Sequence, residues 1–250
     1  MIPLISRGIC ATTNGQNQMS SDPKKVLVLA KEAAARSRLR RTLEALGFDV
    51  GEAPSGEDAM RRMRMVDYEA ILLECRVFGS DCAAICKQLR ILCPRLPILV
   101  ISSNGSLMKK VAAFEAGVDD YTTRPFAKRE LAARLRSAIR RFHAPAVGTA
   151  GLCIVGELVL DSARHRVEKA GSEVSLTPTE FLALKLLMQQ PGVPISHSTL
   201  LTTIWGHESR ANRKHLRVVI RGLRKKLEND PSEPRYLTTT AYFGYCFRDR

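Results

Sequence analysis

The sequence predicts an α/β protein of two modules, a five-stranded doubly wound parallel sheet followed by a smaller α+β unit of short antiparallel strands and three helices. Three observations predict it. Short apolar runs alternate with helical patterns through residues 24–142. The segment HAPAVGTAG, residues 143–151, is small and nearly uncharged, and reads as a flexible linker. Beyond it, strand patterns give way to helices with marked caps, and a length of 250 residues suits two cores better than one.

In the first module, Val26 to Leu29 reads as a strand, and Leu39, Leu43 and Leu46 recur at helical spacing before Gly47. Phe48 and Val50 begin a second strand. Ala70 to Leu73, Ile98 to Ile101 and the short run at Tyr121 supply three more. Helices carrying Ile85, Leu89 and Leu92, then one ending near Gly117, then one with Leu131, Leu135 and Ile139 separate or follow them. A sheet of this kind places any site at the carboxyl ends of its strands. In the second module Glu157 to Leu160, His165 to Lys169 and Glu173 to Leu176 read as short strands. Thr177, Pro178 and Glu180 then form a capping box with proline at the first helical position, and Ser196 caps a second helix. A third helix, from about Lys214 to Leu227, turns Leu216, Val219, Ile220, Leu223 and Leu227 inward. It carries Lys214, Arg217, Arg221, Arg224, Lys225 and Lys226, with Arg213 just before it and no acidic residue among them.

A formal net charge of +14 implies an acidic partner, nucleic acid first and an anionic membrane surface second. The apolar content of 45% is too low for a membrane protein, and the apolar start MIPLISRGIC is too short for a span or a secretory signal. Residues 1–23 are expected to be a disordered tail, with Met19 an alternative start to Met1. The seven cysteines are odd in number and lie mostly in apolar runs, which fits reduced, packed thiols in a cytoplasmic protein. No His joins Cys82, Cys86 and Cys93, so no metal site is expected there, and no triad, phosphate loop or ligand spacing elsewhere points to an enzyme or a cofactor.

The run GVDDYTTRPFAKRELAARLRSAIRR, residues 117–141, resembles the end of a response-regulator receiver domain, and the likeness extends over residues 24–142. That family transfers a phosphoryl group to an aspartate with Mg²⁺ held by an acidic pair. Carried over by position, the resemblance puts Ala30 and Lys31 at the acidic pair and Glu74 at the phosphorylated aspartate, so the phosphoacceptor site is expected to be degenerate. Ser102 and Tyr121 keep the switch hydroxyl and aromatic, and Arg124 replaces the lysine. Lys31 and Arg124 are both expected to reach Glu74 and stand in for metal and phosphoryl charge, the alternative being a solvated Glu74 at a vacated site.

In the OmpR/PhoB subfamily the receiver dimerises through its fourth helix, fifth strand and fifth helix. By position Lys110 would face Glu130, Glu115 would face Arg136 and Asp120 would face Arg134 across a two-fold axis, around Val111, Phe114 and Ala132.

The words LTPTEF, IWG, LRKKLENDP and TTTAYFGYCF resemble the OmpR/PhoB winged helix-turn-helix effector domain over residues 152–248, nearest to the KdpE-type regulators. The resemblance implies that the domain at 152–250 binds double-stranded DNA, the third helix in the major groove and a C-terminal hairpin wing beside it. Arg213, Lys214, Arg217, Arg221, Arg224, Lys225 and, on the wing, Tyr242 are the expected contacts. Gly222 stands where some relatives have a base-reading arginine, and the wing's usual polar-glycine pair is Ala241 and Tyr242. Residues 206–212 correspond to the loop that meets RNA polymerase in this family. The expected function is a dimeric, cytoplasmic, sequence-specific transcription regulator acting without aspartyl phosphorylation. Two alternatives stand beside it: a phosphorylatable regulator with an unusual acceptor, and a redox or ligand sensor working through Cys75, Cys82 or the vacated pocket.

Overall fold

The computed structural model describes residues 23–76, 79–103, 105–143, 151–206 and 210–248. The first half runs β1 (Lys24–Ala30), α1 (Ala33–Glu44), β2 (Phe48–Ala53), α2 (Gly56–Met63), β3 (Ala70–Cys75), α3 (Ser80–Leu92), β4 (Ile98–Ser102), α4 (Leu107–Glu115), β5 (Asp120–Thr123) and α5 (Lys128–His143). All five strands are parallel, in the order β2-β1-β3-β4-β5. Alternate residues of each strand feed opposite cores. Leu27, Leu29, Ile71, Leu73, Ile98 and Val100 pack with α2, α3 and α4. Val26, Val28, Leu72, Leu99 and Ile101 pack with Leu39 and Leu43 of α1 and with Leu131 and Leu135 of α5. Both faces of the sheet are thus covered, which explains why its strands read as unbroken apolar runs.

The strand order reverses between β1 and β3, where Ala30 pairs with Glu74. The crevice outside the strand ends at such a reversal is where this architecture takes ligands. Helix α2 was not marked by the apolar pattern because its one buried residue is Ala59; its start is set by the Ser55 hydroxyl, which accepts from Asp58 N.

The second half opens with a sheet of β6 (Leu152–Val155), β7 (Leu158–Asp161), β8 (Arg166–Lys169) and β9 (Ser172–Glu173), all antiparallel. Then follow α6 (Pro178–Met188), β10 (Ile195–Ser196), α7 (His197–Trp205), α8 (Arg210–Leu227), β11 (Leu237–Thr240) and β12 (Gly244–Phe247). Leu184 and Leu187 of α6, Leu200 and Ile204 of α7, and Leu216 and Leu223 of α8 close one core with Phe247 and Leu160. The capping box at Thr177 and Glu180 and the Ser196 cap form as the sequence predicts.

Strand β6, which was not expected, forms although Leu152 and Ile154 are exposed, and two boundaries differ by more than two residues: β9 stops at Glu173 rather than reaching Leu176, and α8 begins at Arg210 rather than Lys214. Residues 210–212, expected in a loop, therefore form the first turn of a helix. Most of the expected N-terminal tail and linker, at 1–22 and 144–150, and loop residues 207–209 lie outside the described residues.

Candidate nucleic-acid interface and strand-end pocket

Ala30, Lys31 and Glu74 meet at the strand-end crevice, a cavity of about 460 Å³ also bounded by Arg76, Asp81 and Cys82. Arg124, just after β5, reaches back to Glu74: its Nε and Nη2 donate to Oε1 at 3.1 and 2.5 Å. Arg38 of α1 approaches the same oxygen at 3.7 Å. The expectation that Lys31 shares Glu74 is therefore corrected, because Arg38 takes that place. Strand β1 ends at Ala30 and the chain bends away, with Arg36 donating to the carbonyls of Ala30 and Lys31 at 2.7 and 2.9 Å, so that Lys31 is left exposed at the mouth. Ser102 is buried and donates to the Arg76 carbonyl at 3.0 Å. The Tyr121 hydroxyl meets Ser102, and burial pushes its pKa up.

On α8, Arg213, Lys214, Arg217, Arg221 and Lys225 are exposed, whereas Leu216, Val219, Ile220, Leu223 and Leu227 are buried. Spacings of three and four residues put Lys214, Arg217, Arg221 and Lys225 in one stripe. Arg224, expected on the same outer face, is half-buried: it donates to the Leu237 carbonyl at 2.9 Å and to Thr239 Oγ1 at 2.8 Å, tying the helix to the C-terminal hairpin. Glu228 fixes the start of that hairpin by accepting from the backbone N–H groups of Arg235, Tyr236 and Leu237 at 2.8–3.0 Å. Tyr242 stands fully exposed at the hairpin tip, in the left-handed region at φ 59° that glycine ordinarily occupies.

The structure also brings together two sets of residues that the sequence keeps apart. The Phe114 ring of α4 stacks on His215 of α8 with centroids 3.3 Å apart and planes 8° from parallel, and Trp205 flanks the imidazole at 4.7 Å. Glu115 pairs with Arg221 at 3.4 Å. Asp119 anchors the contact beneath: one carboxylate oxygen takes Arg90 at 2.7 Å and Ile98 N at 2.9 Å, the other takes the Thr179 hydroxyl at 2.7 Å, and its carbonyl accepts from Trp205 Nε1 at 3.3 Å. His215 is 2% exposed, and burial pushes its pKa well below the ordinary value. A neighbouring cavity of about 680 Å³ is lined by Phe114, His215, Gly222 and Lys225. Gly222 faces the Glu180 carboxylate so closely that a Cβ there would collide with it.

Residues expected at a dimer face are consequently satisfied within the chain. Asp120 binds Arg134 at 2.9 Å, and Arg134 also binds Glu130 at 2.9 Å. Arg136 donates to the Leu46 carbonyl and lies over the Phe48 ring, and Lys110 lies 5.9 Å from the Tyr121 ring centre. Val111 is half-buried. Ala132, expected on the patch, is 1% exposed and belongs to the core between α5 and the sheet. Asp119, Thr179, Trp205 and His215 were not singled out as site residues, since no periodicity links one module to the other.

Comparison with known proteins agrees with this architecture. The family model "Response regulator receiver domain" matches residues 26–136, and "Transcriptional regulatory protein, C terminal" matches 171–247. The probable transcriptional regulator ycf27 of Porphyridium aerugineum is 32% identical over 231 residues, spanning 90% of this chain and 96% of its own. The response regulator MprA of Mycobacterium bovis is 33% identical over 225 residues, spanning 90% of this chain and 97% of its own. A solved structure of a RitR mutant shares the fold with a TM-score of 0.73 at 22% identity, covering 91% of this chain and all of that one. No described helix is long and apolar enough to cross a membrane. The chain belongs to the OmpR/PhoB-type response regulators, proteins that pair a receiver with a DNA-binding winged-helix domain to regulate transcription and are not enzymes.

Proposed function

We propose that this response regulator binds promoter DNA as a dimer without aspartyl phosphorylation of its receiver. The observation that carries the reading is the pairing of Ala30 with Glu74 at the strand-end crevice, with Arg124 bound to the Glu74 carboxylate. The Mg²⁺ that serves such receivers requires near-octahedral oxygen ligands at about 2.1 Å. A methyl group and the Lys31 ammonium supply none, Glu74 is already neutralised by Arg124 and Arg38, Glu32 at the same crevice is paired with Arg76, and among the described residues no three acidic, His or Cys side chains, Asp81 included, converge to hold a metal. The donor set therefore does not fit the metal. Glu74 is also one methylene longer than aspartate, which moves its oxygens off the line of phosphoryl transfer, where small misplacements cost orders of magnitude.

The proposed division is 24–142 for the receiver, 143–151 for the linker and 152–250 for the effector; the end of α5 at His143 and the start of β6 at Leu152 support it. The dimer would use Lys110, Val111, Phe114, Glu115, Asp120, Glu130, Arg134 and Arg136, as the resemblance implies. Phe114 and Glu115 cannot serve α8 and a partner subunit at once, so dimerisation requires the two domains to separate. Separation also bares the side of α8 that carries His215 and Gly222, beside the arginine stripe. A duplex then meets Lys214, Arg217, Arg221 and Lys225 on the helix and Tyr242 on the wing, Arg224 bracing one against the other. RNA polymerase would be met through 206–212, in the cytoplasm, and the effector domain would stand nearest the KdpE-type regulators by its motifs.

Incubation with acetyl phosphate and Mg²⁺ followed by intact mass measurement tests the central step. The expected result is an unmodified chain; an adduct of about 80 Da on Glu74, stable enough to map, refutes the reading.

A further inference from the structure

We propose that Cys75 and Cys82 form a peroxide-reactive dithiol at the strand-end cavity, which closes to an intramolecular disulfide between the end of β3 and the first turn of α3. This site is separate from the DNA-binding chemistry and does not depend on whether Glu74 can be phosphorylated.

The argument begins with position. Cys75 is the last residue of β3 and Cys82 the third of α3, and both line the 460 Å³ cavity. Both are only half-buried, so a small oxidant entering the crevice reaches them. Each thiol is the strongest influence on the other. Interaction with Cys75 is the main reason the Cys82 thiol is held down at about 7, helped by the Gly79 backbone against the opposing effects of burial and Asp81. Cys75 is pushed up by the same interaction, by burial and by Glu74. The pair is therefore divided into a thiolate-bearing nucleophile and a protonated neighbour on the same cavity wall, the arrangement that sulfenic acid chemistry requires of an attacking and a resolving cysteine.

The other described cysteines have different surroundings. Cys86 is fully buried one turn along α3, and burial raises it to about 12. Cys93 contacts the Met63 sulfur at 4.0 Å, Cys153 meets the Met188 carbonyl, and Cys246 is buried in β12.

The chemistry balances with a hydroperoxide as oxidant. The Cys82 thiolate attacks one peroxide oxygen; the S–O bond forms, the O–O bond breaks, and the departing oxygen leaves as hydroxide or alkoxide that takes a proton. The Cys75 sulfur then attacks the Cys82 sulfenic sulfur, forming S–S and breaking S–O, and its proton leaves with the displaced hydroxide as water. Two thiols are oxidised and one peroxide is reduced. Cys75 is in register with Ser102, whose hydroxyl meets Tyr121, whose ring lies against Phe114. The dithiol thus sits at the inner end of a series of contacts that finishes on His215 of α8.

The test is treatment of the reduced full-length protein with hydrogen peroxide at neutral pH, then alkylation, intact mass measurement and peptide mapping. The expected product is about 2 Da lighter, carries a Cys75–Cys82 link and is restored by reductant. Cys75→Ser should instead accumulate a sulfenic acid on Cys82 that dimedone traps, and Cys82→Ser should leave Cys75 unreacted. Cys86→Ser should behave as the parent chain. Seven alkylated thiols after peroxide, a link through any other cysteine, or Cys82 reacting no faster than it does in the urea-unfolded chain would each overturn the proposal.

Discussion

His215 lies between Phe114 and Trp205 with its Nδ1 buried and unbonded, and a charged imidazolium is poorly tolerated there. The ordinary histidine value is 6.5, and burial holds His215 well below it in the closed molecule. Once the domains separate, His215 takes up a proton as the pH falls through about 6.5, whereas the closed form does not. Closure is therefore at full strength above that pH and weakens below it, by at most about tenfold per unit, until the depressed value is reached. Glu115 and Arg221, on the same two helices, are paired and oppose each other. Small-angle scattering between pH 8 and pH 5 should show the molecule extending on acidification, and His215→Phe should remove that dependence while remaining compact. At this scale the sequence disclosed Glu74 and Arg124, because both occupy positions with a motif around them. It could not disclose that Arg38 rather than Lys31 completes the pair, since that depends on where the chain bends after β1.

Among the elements, α8 and the hairpin behave as one unit held by two residues with unequal demands. Arg224 makes two bonds to β11, but Glu228 satisfies three backbone donors at the hairpin's first turn and is 8% exposed. A carboxylate accepting from several buried N–H groups is among the stronger contacts available, so Glu228→Ala should lower stability by about 2–3 kcal/mol in urea denaturation, and Glu228→Gln by less. The starts of helices α6 and α7 were legible because their caps are written locally, as Thr177 with Glu180 and as Ser196. The start of α8 was not, since Ser209 ahead of it has no capping-box partner three residues on and residues 210–212 add no apolar repeat that could mark it. Strand β6 escaped for a different reason: its pairing with β7 is a backbone property, and exposed Leu152 and Ile154 break the inside–outside alternation by which a strand is read.

For the whole molecule, the closed arrangement sets what the basic charge can reach. A chain of net charge +14 binds polyanions through its exposed arginines and lysines, and that term falls steeply with salt. While α4 covers one side of α8, only part of the helix is available to a duplex. Thr179 belongs to neither the expected dimer face nor the DNA face, yet its hydroxyl gives Asp119 a 2.7 Å bond across the domain boundary. Thr179→Val should loosen closure by about 1–1.5 kcal/mol and tighten DNA binding by roughly five- to tenfold, as measured by anisotropy of a labelled duplex. Both domains were legible separately, one from its βα alternation and the other from its caps and basic helix. Their contact was not, because it joins Asp119 to Thr179 and Phe114 to His215 across 60 and 101 residues without any repeating pattern.

The most direct test of phosphorylation-independent regulation is the affinity of the intact protein for a duplex selected from genomic DNA, measured in one buffer with and without acetyl phosphate and Mg²⁺. The account predicts the same Kd in both conditions and a marked loss of binding in Arg217→Ala with Arg221→Ala. Tightening by tenfold or more when phosphodonor and metal are added would contradict it.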